Sequence, residues 1–185
     1  MANEFNREDR QFLLDLARNT IKHYLHHREV PEASAVPDKF KNKRGVFVTL
    51  HKEGALRGCI GYPLPVSSLF NAVVNNAVSS AFEDPRFHEL KPEELEQIDI
   101  EISVLSVPEP VENYRKVRVG KDGIIISKHG SRGLLLPQVP VEQGWDLDQY
   151  ISYGCMKAGL PADEWRTGVS IEIFQAEVFG EKDLG

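Results

Sequence analysis

The sequence predicts an α+β fold on three observations. Apolar residues recur at helical spacing from Phe12 to Leu25, β-branched and aromatic residues flank a glycine turn at Glu53-Gly54, and Ile98, Ile100, Ile102 and Val104 alternate with Asp99, Glu101 and Ser103. A chain of 185 residues that is 41% hydrophobic can enclose a core without a metal or disulfide staple, so one domain, with lobes, is expected.

The first helix carries Leu13, Leu16, Ala17, Thr20, Ile21 and Tyr24 on one face, with Asn6 as N-cap and Glu8 and Asp9 in its first turn. His23, His26, His27 and Arg28 suit its C-terminus, and Pro31 blocks continuation. Gly45 to His51 and Ala55 to Tyr62 then read as a hairpin closed by Glu53-Gly54. A second helix is expected from Val66 to Phe82, its apolar face running from Leu69 to Phe82. Its other face is neutral: Ser68, Asn71, Asn75, Asn76, Ser79 and Ser80 either line a polar pocket or pack under another element with their amides satisfied.

Ile98 to Val104 is a strand with one buried face, and the carboxylates Asp99 and Glu101 on its other face read as solvated rather than catalytic. Gly120, Gly123, Gly130 and Gly133 punctuate Ile124-Ile125-Ile126 and Leu134-Leu135-Leu136, a small antiparallel sheet suited to a second lobe; Gly130-Ser131-Arg132-Gly133 reads as its hairpin turn. Asp146 and Gln149 have capping-box spacing ahead of Tyr150, Ile151 and Cys155, and Gly159 and Pro161 end that third helix. Cys155 lies on its apolar stripe and reads as core. The last strand, Ser170 to Phe179, changes phase between Ile173 and Phe174, which fits a bulge or burial on both faces.

The formal net charge of −6 argues against general affinity for nucleic acid. Local basic segments, Lys39 to Arg44 and Arg115 to Lys121, could still hold an anion, although solvated loop charge is the simpler reading. Cys59 and Cys155 are too far apart in sequence to suggest a zinc site or disulfide framework. The start of the chain lacks a basic-then-apolar leader, and Val66 to Phe82 holds too much Ser and Asn for a membrane span, so a cytoplasmic protein without membrane attachment is expected. His23 and His27 could both reach one ion, but the Glu of the zinc-protease motif is absent between them, and no metal site is expected.

The segment with most chemical promise is Leu56-Arg57-Gly58-Cys59-Ile60-Gly61. On a regular strand Arg57 and Cys59 share a face. A guanidinium beside a thiol favours the thiolate, whereas apolar burial disfavours it. A three-residue loop Glu53-Gly54-Ala55 would put Thr49 and His51 on the Cys59 face, and a two-residue loop would put Val48 and Leu50 there. Gly58 and Gly61 imply that another backbone or a ligand approaches closely.

Leu56 to Gly61 matches in full the signature hexapeptide of the AMMECR family, which this chain resembles also at Asp84-Pro85-Arg86-Phe87 and at Leu135-Leu136-Pro137-Gln138-Val139 with Glu142 and Trp145. The resemblance implies a larger lobe, here about 1–108 and 168–185, with an antiparallel sheet and flanking helices, and a smaller lobe, about 109–167, with a short antiparallel sheet and helices, separated by a cleft. It also implies that the signature hairpin points largely inward. Relatives are associated with a Memo-like protein and a radical-SAM enzyme, which suggests one modification system; with no iron–sulfur cysteine triplet in this chain, radical chemistry would belong to a partner.

Two functions follow as expectations. In an enzyme, Cys59 would serve as nucleophile or acid–base group, Arg57 would hold an anionic moiety, and Asp84, Arg86 and His88 would orient the substrate and move a proton. In a non-catalytic module, the cleft and the polar helix face would bind a small molecule or a protein, with Asp84, Arg86, Asn75, Gln138 and Glu142 as contact residues. No cofactor is assigned by either reading. Asp84 and Arg86 could instead simply pair at a helix end.

Overall fold

The computed structural model describes residues 4–31 and 35–184. In chain order its principal elements are α1 (Arg7–His27), β1 (Lys43–Lys52), β2 (Ala55–Ser68), α2 (Leu69–Phe82), β3 (Ile98–Leu105), β4 (Glu109–Pro110), β5 (Gly123–Lys128), β6 (Ser131–Leu135), α3 (Val139–Gln143), α4 (Leu147–Lys157), β7 (Ser170–Phe174), β8 (Ala176–Gly180) and α5 (Glu181–Leu184). The fold is α+β. Its strands form two four-stranded sheets, ordered β2-β1-β3-β8 and β4-β7-β5-β6. The chain divides into two compact units, Met1–Leu105 with Glu177–Gly185, and Ser106–Ala176.

In the first unit α1 starts where the sequence says it should. The Asn6 side chain accepts from the Asp9 N–H at 2.9 Å and the Asp9 carboxylate accepts from the Asn6 N–H at 3.2 Å, a reciprocal capping box. Leu13, Leu14, Ala17 and Ile21 of α1 pack with Leu69, Val73 and Ala77 of α2 and with Val46, Val48, Leu50, Ile100 and Ile102 of the sheet in one apolar core. Of the basic segment that could have held an anion, three cations are already paired: Lys39 with Asp9, Lys41 with Asp38 and Arg44 with Glu4.

The β1–β2 turn is the two-residue loop, with Glu53 at φ 53° and Gly54 at φ 81°. Lys52 pairs with Ala55 and His51 with Leu56, but the next pair is Leu50 with Gly58, so Arg57 is an extra residue in β2. That slip brings Thr49 opposite Cys59, as the longer loop would have done. A second irregularity leaves Pro63 to Val66 unpaired between Tyr62, opposite Val46, and Ser67, opposite Arg44. The strand therefore continues to Ser68, and α2 begins at Leu69 rather than Val66, with Ser68 as its N-cap.

In the second unit β5 and β6 are joined by His129-Gly130, with Lys128 opposite Ser131, so the turn lies earlier in the chain than the expected Gly130–Gly133. Ile124, Ile126, Tyr150, Ile151 and Cys155 form its core. The α4 capping box of Asp146 and Gln149 is present, at 2.8 and 2.9 Å. The short helix α3 has no counterpart in the sequence expectation. The last strand, expected whole in the larger lobe, divides at Gln175: β7 pairs with β5 in the second sheet, and β8 joins the first. Ser106 N–H donates to the Gln175 C=O and the Gln175 N–H to Ser106 Oγ, at 2.8 and 2.9 Å, which fixes the crossing point. The phase change read in the sequence is this change of sheet, and it moves the boundary from 168 to Glu177.

Candidate functional site

The signature hexapeptide lies in β2, an edge strand of the first sheet. An edge strand leaves outward N–H and C=O groups without a ladder partner. At Cys59 both are occupied: the N–H donates to Asp84 Oδ2 at 2.9 Å, and the C=O accepts from Arg86 Nη2 at 3.2 Å. Asp84, just beyond the end of α2, is 4% exposed and also accepts from the Arg86 N–H, Nε and Nη2 at 3.1, 2.9 and 2.7 Å. The Arg86 guanidinium first, then the Cys59 and Arg86 N–H groups, hold the Asp84 carboxyl well below the usual carboxylate range against the opposing effect of burial. Asp84 and Arg86 do pair with one another, and the pair also clamps the edge of the signature strand.

The inner side of the strand is fixed by α2. A Cβ on Gly58 would lie 2.1 Å from the Ser80 carbonyl oxygen, so only glycine lets the last turn of α2 come this close. Ser80 Oγ accepts from the Ile60 N–H at 2.9 Å and donates to the Val48 C=O at 2.7 Å, and Asn76 Nδ2 donates to the Val46 C=O at 2.9 Å. The neutral stripe of α2 thus splits: Asn76 and Ser80 are buried on the hairpin, whereas Asn71 and Asn75 are exposed. A Cβ on Gly61 would meet the Phe47 ring at 2.4 Å.

Arg57 and Cys59 take different partners. A bulge re-aims the side chain it carries, and Arg57 donates through Nε and Nη2 to the Glu94 carboxylate at 3.1 and 2.9 Å. Lys52 Nζ reaches the same carboxylate at 3.0 Å. The Arg57 bonds, first among several causes, pull the Glu94 carboxyl down to about 2. Cys59 is half-buried, and its sulfur accepts from the Thr49 hydroxyl at 3.3 Å. The guanidinium that touches Cys59, at its carbonyl, is that of Arg86, which is held protonated above all by its hydrogen bond to Asp84.

Beside this strand lies a pocket of about 460 Å³ whose lining includes Lys52, Arg57, Arg86, Phe87, His88 and Glu94. The Phe87 ring lies 5.9 Å from the Arg57 guanidinium carbon and 5.5 Å from that of Arg86. An adjoining hollow of about 590 Å³ shares His88 with it and reaches Leu25 and Arg28.

From residue 14 to residue 179 the chain matches the AMMECR1 family model. The chain belongs to the AMMECR1 family. A protein of Methanothermobacter thermautotrophicus is 46% identical to it over 184 residues, spanning 95% of this chain and 96% of its own length. A protein of Methanopyrus kandleri is 44% identical over 193 residues, spanning 99% and 93% respectively. The crystal structure of an uncharacterized protein from Pyrococcus horikoshii superposes with a TM-score of 0.77 at 43% identity, covering 92% of this chain and 90% of that one.

In this AMMECR1-family chain the residues singled out from the sequence fall into two groups. Arg57, Cys59, Asp84, Arg86 and His88 lie together in the first unit, where three of them line one pocket. Asn75 is exposed on α2 of the same unit. Gln138 and Glu142 belong to the second unit, both exposed at α3. Cys155 is fully buried, and burial above all pushes its thiol up. The sequence reading missed Glu94 and Lys52. Glu94 sits at the third position of a 3-10 helix, Pro92–Gln97, and its carboxylate accepts from the Lys91 N–H at 3.1 Å. The Lys91-Pro92-Glu93-Glu94 pattern was a legible helix start, but nothing in it names Arg57 as partner. Among the described residues no helix is long and apolar enough to cross a membrane.

Proposed function

We propose that this chain is a binding component, recognising a ligand or protein through the surface around Arg57 and the signature strand, and that Cys59 holds that surface in shape rather than attacking a substrate. The observation that carries this reading is the commitment of the polar groups around the thiol. A nucleophilic cysteine needs a neighbour that accepts its proton. The side chain bonded to Cys59 Sγ is the Thr49 hydroxyl, which donates. The Asp84 carboxylate is filled by four N–H donors. If the chain works with Memo-like and radical-SAM companions, as its resemblance suggests, they would supply the chemistry and this chain the recognition.

A second reading keeps Cys59 as a nucleophile. It is favoured by the same Thr49 hydrogen bond, which would stabilise a sulfur anion, and by the nearby charge of Arg86. Two measurements separate the readings. For a binding component, Cys59 in the folded protein alkylates more slowly than in the denatured chain. Affinity purification from native extract, with mass spectrometry of bound proteins and small molecules, then recovers the same companion with Cys59→Ser and loses it with Arg57→Ala. Alkylation faster than in the denatured chain, together with loss of the companion in Cys59→Ser, would overturn the binding reading.

A further inference from the structure

We propose that the pocket beside Arg57 binds a small oxyanion, a carboxylate or phosphate group, held by Arg57 together with Lys52. The inference rests on the reading of this surface as a recognition site and gives it a ligand class. Its starting point is a donor without an acceptor. Arg57 is only 13% exposed, and Nε and Nη2 face Glu94, with Nη2 also 3.4 Å from the Glu89 C=O. Nη1 is buried and, among the described residues, has no hydrogen-bond partner. A charged N–H withdrawn from water without an acceptor is costly, and such groups mark places where something further binds.

The geometry also prepares this donor. Two parallel bonds to one carboxylate fix the plane of the guanidinium, which lowers the ordering cost of binding, and because Nη1 is covered by protein a ligand gains this donor by displacing that cover. Lys52 and Arg57 are two cations on the single carboxylate of Glu94, which leaves this trio with one positive charge in excess, while Lys91 and Glu93 of the same lining offset one another in formal charge. Both side chains offer donors only, so the group they recognise must be an acceptor, and the surplus charge makes an anionic acceptor the better fit. Phe87 forms an apolar wall against the Arg57 guanidinium, lowering the local dielectric in which that charge acts.

The pocket limits the ligand to a small one. At about 460 Å³ it falls in the lower part of the range of small-molecule sites. Glu89 and Glu93 also line it, and Glu89 pairs with Arg28 at 2.9 Å. An extended polyanion crossing these carboxylates would meet repulsion that a single carboxylate or phosphate group avoids.

The test titrates inorganic phosphate and succinate, separately, into the full chain in a chloride buffer, read by calorimetry and by the thermal unfolding midpoint. The expected result is saturable binding of at least one anion with a rise in the midpoint, and the anion that binds identifies the source of the oxyanion. Arg57→Lys, which keeps a charge but not the fork, weakens binding by about tenfold or more. Lys52→Met, at a partly exposed position that leaves the core intact, weakens it by a smaller factor, and Lys121→Met in the second unit leaves it unchanged. Saturation by neither anion, or equal affinity in wild type, Arg57→Lys and Lys52→Met, overturns the proposal. Loss of the native companion in Arg57→Ala while neither anion binds would overturn the oxyanion alone and leave the binding component standing.

Discussion

Two hairpins in this chain close on the same kind of turn and then diverge. Glu53-Gly54 and His129-Gly130 both place two residues at positive φ, 53° and 81° in one and 50° and 86° in the other. Each hairpin also presses a glycine of its second strand against a helix C-terminus. A Cβ on Gly58 would strike the Ser80 carbonyl at 2.1 Å, and one on Gly133 would strike the Ala158 nitrogen at 2.3 Å. Yet β5–β6 runs in unbroken register from Lys128 opposite Ser131 to Ile124 opposite Leu135, whereas β1–β2 slips by one residue at Arg57. The slip separates two side chains of the signature strand: it re-aims Arg57 to Glu94 while Cys59 faces Thr49. A regular pleat would have left the two side chains on one face.

The units repeat a second device, a buried aspartate held by a half-exposed arginine, and here the largest effect is expected. Asp84 pairs with Arg86 and Asp122 with Arg118, the aspartate side chains being 2% and 0% exposed and the arginines 54% and 55%. Arg86→Ala leaves the Asp84 carboxylate buried with only main-chain donors. We expect a loss of about 2 kcal/mol, below the cost of breaking a fully buried pair because Arg86 already faces water. Arg118→Ala also destabilises the protein in urea. The comparison is sharpened by a second readout: Arg86→Ala releases the Cys59 C=O and speeds alkylation of Cys59, and Arg118→Ala does not. Equal alkylation rates in the two variants would show that the clamp does not shape the signature strand.

The pairing of Arg57 with Glu94 gives an effect that depends on pH. Glu94 is pulled from an ordinary 4.5 down to about 2, chiefly by Arg57, so the folded protein holds it ionised where the unfolded chain would bind a proton. Its contribution to stability is full above pH 4.5 and is lost as pH falls toward 2. Glu94→Gln removes this contribution, so the difference in urea midpoint between wild type and Glu94→Gln should shrink between about pH 4.5 and 2. A difference that stays constant across that window would place the anchor of Arg57 elsewhere.

These outcomes turn on features of unequal legibility. The caps of α1 and α4 were readable because each lies within three residues of its partner, as was the Glu53-Gly54 turn, whereas the β5–β6 turn was read at Gly130–Gly133 and lies at His129-Gly130. The slip at Arg57 was not readable: it sits next to Gly58, whose close neighbour, the Ser80 carbonyl at the end of α2, comes from much further along the chain. Glu94 was invisible as a partner for the same reason: 37 residues separate it from Arg57. The Lys39 to Arg44 segment left an anion site open because its neutralising acids, Asp9 and Glu4, lie 30 and 40 residues from Lys39 and Arg44. In the last strand the local signal was present, but a change of phase between Ile173 and Phe174 cannot by itself distinguish a bulge from a strand that leaves one sheet for another.

The smallest effect tests whether the two turns are as alike as their dihedral angles. Glu53 and His129 each occupy the left-handed region, which disfavours residues with a Cβ and which asparagine tolerates better. Asn-Gly is the preferred pair for a turn of this type, so Glu53→Asn and His129→Asn should each stabilise the protein by about 0.5 kcal/mol. Because the slip at Arg57 lies on the strand side of the turn, relaxing Glu53 should leave it in place, and Glu53→Asn should alkylate at Cys59 at the wild-type rate. Stabilisation at His129 without any at Glu53 would mean that the first turn is held by its bulged strand rather than by its own two residues, and the site would then extend to the tip of the hairpin.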